Sequence, residues 1–115
     1  MRTKNESHVL ELTNTGADNK IVLNYSTLKR AVLTLRAVNH PLRKEIMALI
    51  EEKGKMTVTE LYIRLRIEQS VASQHLAILR KADVLTTERG GKFIYYSVNH
   101  SRMEEIAKLV EQLAQ

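Results

Sequence analysis

Apolar positions first fall into step at Ile21, Val22 and Leu23. Ahead of them, residues 1–19 mix Thr, Asn, Ser, Gly and charges without a period, which predicts a flexible N-terminal tail over residues 1–20. From Thr27, the residues Leu28, Ala31, Val32, Leu35 and Val38 repeat at i, i+3, i+4 and i+7. That spacing predicts a first helix ending near Asn39, capped by Asn24 or Ser26. Pro41, the only proline, suits the opening turn of a second helix, because its missing N–H has no partner there anyway. Leu42, Ile46, Leu49, Ile50 and Lys53 share one face of this helix, and Gly54 is placed for a left-handed C-terminal cap. Thr57 and Glu60 form a capping box for a third helix over about Val58 to Arg66, which buries Val58, Leu61, Tyr62 and Leu65.

A few residues later, Gln69 to Ala82 put Ala72, His75, Leu76, Leu79 and Ala82 on one stripe. Ser70, Ser73, Gln74, Ala77, Arg80 and Lys81 fall on the other. A face of short hydroxyls, an amide and cations, with no carboxylate and little bulk, matches what a helix needs to enter a DNA major groove. Two short helices joined by so tight a turn make a helix-turn-helix. Beyond Ala82 the period changes to two. Residues 84–98 read as two β-prone runs around Gly90-Gly91, a hairpin whose glycines take the positive-φ positions of its turn, with Arg89 and Lys92 beside the tip. Asn99, or Ser101 in a box with Glu104, caps a last helix. Its stripe of Met103, Ile106, Ala107, Val110, Leu113 and Ala114 runs to the end of the chain. The predicted fold class is mostly α with a small β-hairpin: a winged helix-turn-helix of about five helices and a two-stranded wing.

Composition narrows the function. With 115 residues, 43% of them hydrophobic, the chain can build one domain, read here as residues 21–115, but not two of ordinary size. Eighteen Lys and Arg against thirteen Asp and Glu leave a formal charge of +5, which favours a polyanionic partner. Residues 60–102 carry seven basic groups against four acidic ones, whereas residues 103–115 carry one against three, so the last helix faces something other than phosphate. The absence of cysteine closes off disulfides, thiolate metal sites and thiol nucleophiles. No segment approaches the length of a membrane span or a signal-peptide core, so the expected location is the cytoplasm and no membrane partner is expected. An enzyme is not expected either, since no nucleophile stands beside a base and no loop cradles a phosphate.

The order of these elements, and the runs Ala37 to Ile46, Glu60-Leu61, Ser70/Ser73/His75/Leu76, Leu79 to Leu85 and Arg89 to Tyr96, resemble the ArsR/SmtB-type bacterial transcriptional repressors over roughly Leu28 to Gln115. The resemblance implies a homodimer that pairs through its first and last helices, binds an inverted repeat in double-stranded DNA and blocks transcription. It places Leu28, Val32 and Leu35 with Met103, Ile106, Val110 and Leu113 in the dimer interface. Tyr62-Ile63-Arg64 stand where metal-sensing members carry Cys-Val-Cys, and no His or Asp follows Ser101. Neither a metal nor another cofactor is therefore expected, and the inducer is not legible. Arg66 stands where many relatives have glycine, which implies strain of about 1 kcal/mol if it is left-handed. Glu68 replaces the usual serine cap.

Gln69, Ser70, Ser73 and Gln74 are the expected base-edge or phosphate contacts, with Arg80 reaching a phosphate and Arg89 and Lys92 reaching the minor groove or its flanks. His75, on the apolar edge of its helix, reads as a satisfied, partly buried histidine ahead of a phosphate contact. His8, His40 and His100 share no metal spacing and read as solvated or helix-capping. Tyr95 and Tyr96 alternate faces, so one packs and the other exposes its hydroxyl. The competing reading is a winged-helix protein-interaction module whose basic face meets an acidic protein surface.

Overall fold

The computed structural model describes residues 8–13, 16 and 19–115. In chain order its elements are β1 (Val9–Thr13), β2 (Lys20–Asn24), α1 (Tyr25–Val38), α2 (Pro41–Lys53), α3 (Val58–Leu65), α4 (Gln69–Lys81), β3 (Leu85–Gly90), β4 (Phe93–Val98) and α5 (His100–Ala114). The chain divides within α1 into two units, Met1–Thr34 and Leu35–Gln115. Five helices and the β3–β4 wing, among the described residues, are the mostly helical winged-helix class expected from the sequence.

In the first unit, β1 and β2 form an antiparallel hairpin. This corrects the expectation of an irregular tail: Val9–Thr13 and Lys20 are strand, while residues 1–7, 14, 15, 17 and 18 of that tail lie outside the described residues. The register shows why the pattern was hidden. Leu10 faces Leu23 and Leu12 faces Ile21, so an apolar face exists only once the two short runs are paired. On the opposite face Lys20 pairs with Glu11 at 3.2 Å. The Tyr25 N–H donates to the His8 carbonyl, and the Asn24 side chain accepts from the N–H groups of Ser26 and Thr27. Asn24, rather than Ser26, is therefore the cap of α1.

The second unit is built on a core of Ile46 and Ile50 from α2, Met56, Leu61 from α3, Ala72, Leu76 and Leu79 from α4, Val84, Leu85 and Ile106. Helix α2 opens at Pro41 and ends on Gly54 with φ 87°. Its N-cap is His40, whose Nδ1 accepts from the N–H groups of Leu42 and Arg43. The Thr57–Glu60 box opens α3, with both reciprocal hydrogen bonds formed. Helix α3 ends on Arg66 in the left-handed region (φ 56°), where the N–H groups of Arg66 and Ile67 donate back to Ile63 and Tyr62. Helix α4 closes the same way: Asp83 has φ 65°, and Asp83 and Val84 donate to Arg80 and Leu79. Both ends are Schellman motifs built without glycine, and the second seats Val84 against Leu79 in the core.

One sequence expectation shifts at the wing, and an alternative left open beyond it is resolved. Gly90 pairs with Phe93, so the turn is Gly91-Lys92 instead of Gly90-Gly91, and only Gly91 has positive φ. Gly90 answers a different need, because a Cβ there would meet the Tyr95 ring at 2.9 Å. Asn99, whose side chain accepts from the Arg102 N–H, caps α5; Ser101 lies inside the helix.

Candidate nucleic-acid interface

Helix α4 is held by one face and presents the other. Ala72, Leu76 and Leu79 are buried, and each is at most 1% exposed, while Gln69, Ser70, Ser73, Gln74, Ala77, Arg80 and Lys81 are exposed. Four of the expected DNA contacts, Gln69, Ser70, Ser73 and Gln74, thus lie along the first turns of one open face. Glu68 is the N-cap residue and makes no side-chain cap bond, which leaves the first-turn N–H groups without a side-chain acceptor. At the other end of α4, Arg80 Nε donates to Thr87 Oγ1 on β3 at 3.4 Å, a link between this helix and the wing that the sequence did not suggest.

The wing carries its cations at its tip. Lys92 is the second residue of the turn, with its ammonium 5.3 Å from the centre of the Phe93 ring, and Arg89 is exposed one pair back, opposite Ile94. The base of the wing is fixed by Met56, whose N–H and carbonyl exchange hydrogen bonds with Tyr96. Tyr96 packs against the core, whereas Tyr95 lies across Gly90. Lys55 sits over the Tyr95 ring at 4.9 Å and adds an exposed cation to the wing. Sequence reasoning missed Lys55 because it belongs to the loop after α2, and only the Met56–Tyr96 bridge brings that loop to the hairpin.

Arg43 was also missed. It is 7% exposed. Its Nε donates to the Ala37 carbonyl at 2.6 Å, its Nη2 to the Arg36 carbonyl at 3.3 Å, and its Nη1 lies 3.1 Å from Nδ1 of His75. His75 is half-buried, as expected. Its pKa lies below the ordinary histidine value because burial penalises the charged ring, and because His40 and Arg43 add positive potential. An amphipathic count misses Arg43 because arginine scores as polar wherever its partners are.

The residues expected at a dimer interface divide in two groups. Leu28 and Val32 on α1 are exposed, as are Val110 and Leu113 on α5. Leu35 and Met103 are half-buried against the core, and Ile106 is inside it. No helix among the described residues is long and apolar enough to cross a membrane. No group of three or more metal-ligating side chains gathers among them either.

Residues 40–87 match the family described as "Bacterial regulatory protein, arsR family". The chain is 34% identical over 96 residues to the transcriptional repressor PagR of Bacillus anthracis, covering 84% of this chain and 94% of that one. The PagR crystal structure superposes with a TM-score of 0.61 over 76% of this chain and 99% of PagR. An HTH-type transcriptional regulator of Methanocaldococcus jannaschii is 33% identical over 85 residues, covering 74% of this chain and 96% of that one. The transcriptional activator HlyU of Vibrio cholerae is 29% identical over 84 residues, covering 73% and 77%. All three are regulators, which is not an enzyme class.

Proposed function

This chain belongs to the arsR family of bacterial regulatory proteins and is a DNA-binding transcriptional regulator, and from that premise we propose that it acts in the cytoplasm as a dimeric repressor of an inverted-repeat operator. Each copy lays α4 into a major groove. Ser70, Ser73 and Gln74, with Gln69 at the helix start, meet base edges and nearby phosphates. Gln74 is suited to the paired donor and acceptor of adenine. Arg80 reaches a phosphate with the part of its guanidinium that Thr87 does not use, and Arg89 and Lys92 carry the wing to the flanking minor groove. Two copies join through the apolar stripes of α1 (Leu28, Val32, Leu35) and α5 (Met103, Val110, Leu113). Ile106 serves from beneath as a core residue. The protein carries out no catalysis, and it needs no metal or cofactor to bind.

The observation that carries this reading is the division of α4, with Ala72, Leu76 and Leu79 in the core and the polar residues of the opposite face open to solvent. Selection from random-sequence DNA, followed by mobility shifts over a range of salt, tests it. An enriched motif with two-fold symmetry is expected, with log affinity falling against log salt by about 0.9 for each phosphate neutralised. Lys92→Ala, which removes one contact from each of the two copies, should flatten that slope by about two units and weaken all sequences alike, whereas Gln74→Ala should relax preference at one position in each half-site. Enrichment of no sequence would overturn the reading and favour the protein-interaction alternative. A reporter fused to the native promoter then separates repression, where deletion raises expression, from activation.

A further inference from the structure

A buried guanidinium needs partners, and Arg43 finds none among carboxylates: every ion pair among the described residues involves other groups. It spends its donors on two elements instead. One edge of the fork holds the Arg36 and Ala37 carbonyls, at the end of α1 where carbonyls run out of helical partners and the helix dipole is negative. The other edge meets His75. Arginine only donates, so His75 Nδ1 accepts and the ring proton sits on Nε2. His75 directly follows Gln74, on the boundary between the buried and open faces of α4.

We propose that Arg43 is a positioning residue for DNA reading: acting through His75, it sets the rotation of α4 relative to the last turn of α1, and with it the direction in which Ser73 and Gln74 face the groove. The proposal rests on α4 being the recognition helix. The other buried anchors of α4, Ala72, Leu76 and Leu79, are apolar, and apolar contact has no preferred direction; its one other polar tie, Arg80 to Thr87, is exposed, long at 3.4 Å and lies at the far end of the helix from Ser73 and Gln74. A hydrogen bond from a planar fork does. Turning a helix of about 5 Å radius by 20° moves its surface by about 2 Å, more than a base-edge hydrogen bond tolerates.

The strut holds only while His75 is neutral. The charged and titratable groups facing His75 are Arg43 on α2 and His40 at the α2 N-cap, its ring centred 5.0 Å away; α1 supplies carbonyls to Arg43. The neighbours of His75 on its own helix, Gln74 and Leu76, carry no charge. A proton on Nδ1 removes the lone pair that Arg43 uses and sets two cations against each other. Glutamine at position 75 would offer an amide oxygen to Arg43 at every pH.

The test uses a duplex selected by the wild-type protein from random-sequence DNA and a scrambled duplex of the same composition. Affinities for both are measured at constant ionic strength from about pH 8 down to the lowest pH at which circular dichroism still shows full helicity. The wild-type ratio of selected to scrambled affinity should fall about tenfold on acidification, the discrimination carried by roughly one base contact. Binding to the scrambled duplex should hold or strengthen, because added protons favour phosphate. His75→Gln should keep the high-pH ratio and lose its pH dependence. His75→Leu and Arg43→Lys should lower the ratio about tenfold at pH 8 without loss of helicity. Discrimination by His75→Leu equal to that of the wild type, or a wild-type pH profile in His75→Gln, would overturn the strut even if Arg43→Lys failed to fold. If the wild-type protein enriches no duplex, the recognition-helix reading fails and takes the strut with it; enrichment with indifferent variants removes the strut alone.

Discussion

His75 is a neutral base held against a permanent cation, and this makes the stability of the fold depend on pH in a fixed direction. Its folded-state pKa is depressed below about 6.5, first by burial and then by His40 and Arg43. In the unfolded chain it titrates near about 6.5. Above that pH both states carry a neutral ring and the full stability is present. As pH falls from there through the depressed folded value, the unfolded chain takes up the proton more readily and stability is lost. Urea midpoints of wild type and His75→Gln measured from about pH 8 to 5 should therefore diverge only on the acid side, with the wild type losing more. Parallel curves would show that the ring titrates as freely in the fold as outside it. Arg66 carries a residue-scale cost of a different kind, an L-residue at φ 56°. Arg66→Gly should relieve about 1 kcal/mol of backbone strain and give back roughly half of it through the freer unfolded chain, leaving a net gain of about 0.5 kcal/mol in thermal or chemical unfolding.

At the scale of elements, what could be read in advance was what depends on neighbours in sequence. The Thr57–Glu60 box, Pro41 at the start of α2 and Gly54 at its end all act within one helical turn, and each stands where its spacing placed it. The stripe of α4 was legible for the same reason, since a helix that buries Ala72, Leu76 and Leu79 leaves Ser73 and Gln74 outside. Features that depend on distant partners were not legible. Strand β1 acquires an apolar face only opposite β2, the wing turn falls one residue later because Gly90 pairs across the hairpin with Phe93, and Arg43 is buried where α1 ends beside it. The same division predicts which changes harm the DNA-reading element. Leu79→Ala empties a fully buried position on α4 and should cost about 2–5 kcal/mol in urea unfolding, whereas Ser73→Ala on the opposite face should leave stability within about 0.5 kcal/mol. A large loss from Ser73→Ala would mean that the open face of α4 is not open.

At the scale of the whole molecule, the question is what the exposed apolar residues of the last helix are for. Leu109, Val110 and Leu113 on α5 are 43%, 45% and 70% exposed, and the stripe begins just past a core residue, Ile106. Single exposed leucines need no explanation, but a contiguous apolar stripe on one helix does. In the proposed dimer, pairing of two copies would cover it and would also set the energetics of operator binding. Once one α4 is seated in its half-site, the second is delivered at an effective concentration in the millimolar range, so that dimer affinity can exceed half-site affinity by about 100-fold or more. Leu113→Glu places a carboxylate in that seam at the most exposed of the three positions, where it cannot disturb the chain's own core. Sedimentation equilibrium should give twice 13.2 kDa for the wild type and about 13.2 kDa for the variant. Operator affinity should drop by about two orders of magnitude, with the salt slope roughly halved because each complex then neutralises half as many phosphates. Thermal unfolding of the variant should become independent of protein concentration, while that of the wild type rises with it. A wild-type protein that sediments as a single chain at tens of micromolar, or a variant that binds the operator as tightly as the wild type, would leave the stripe without this role and the inverted repeat without its second reader.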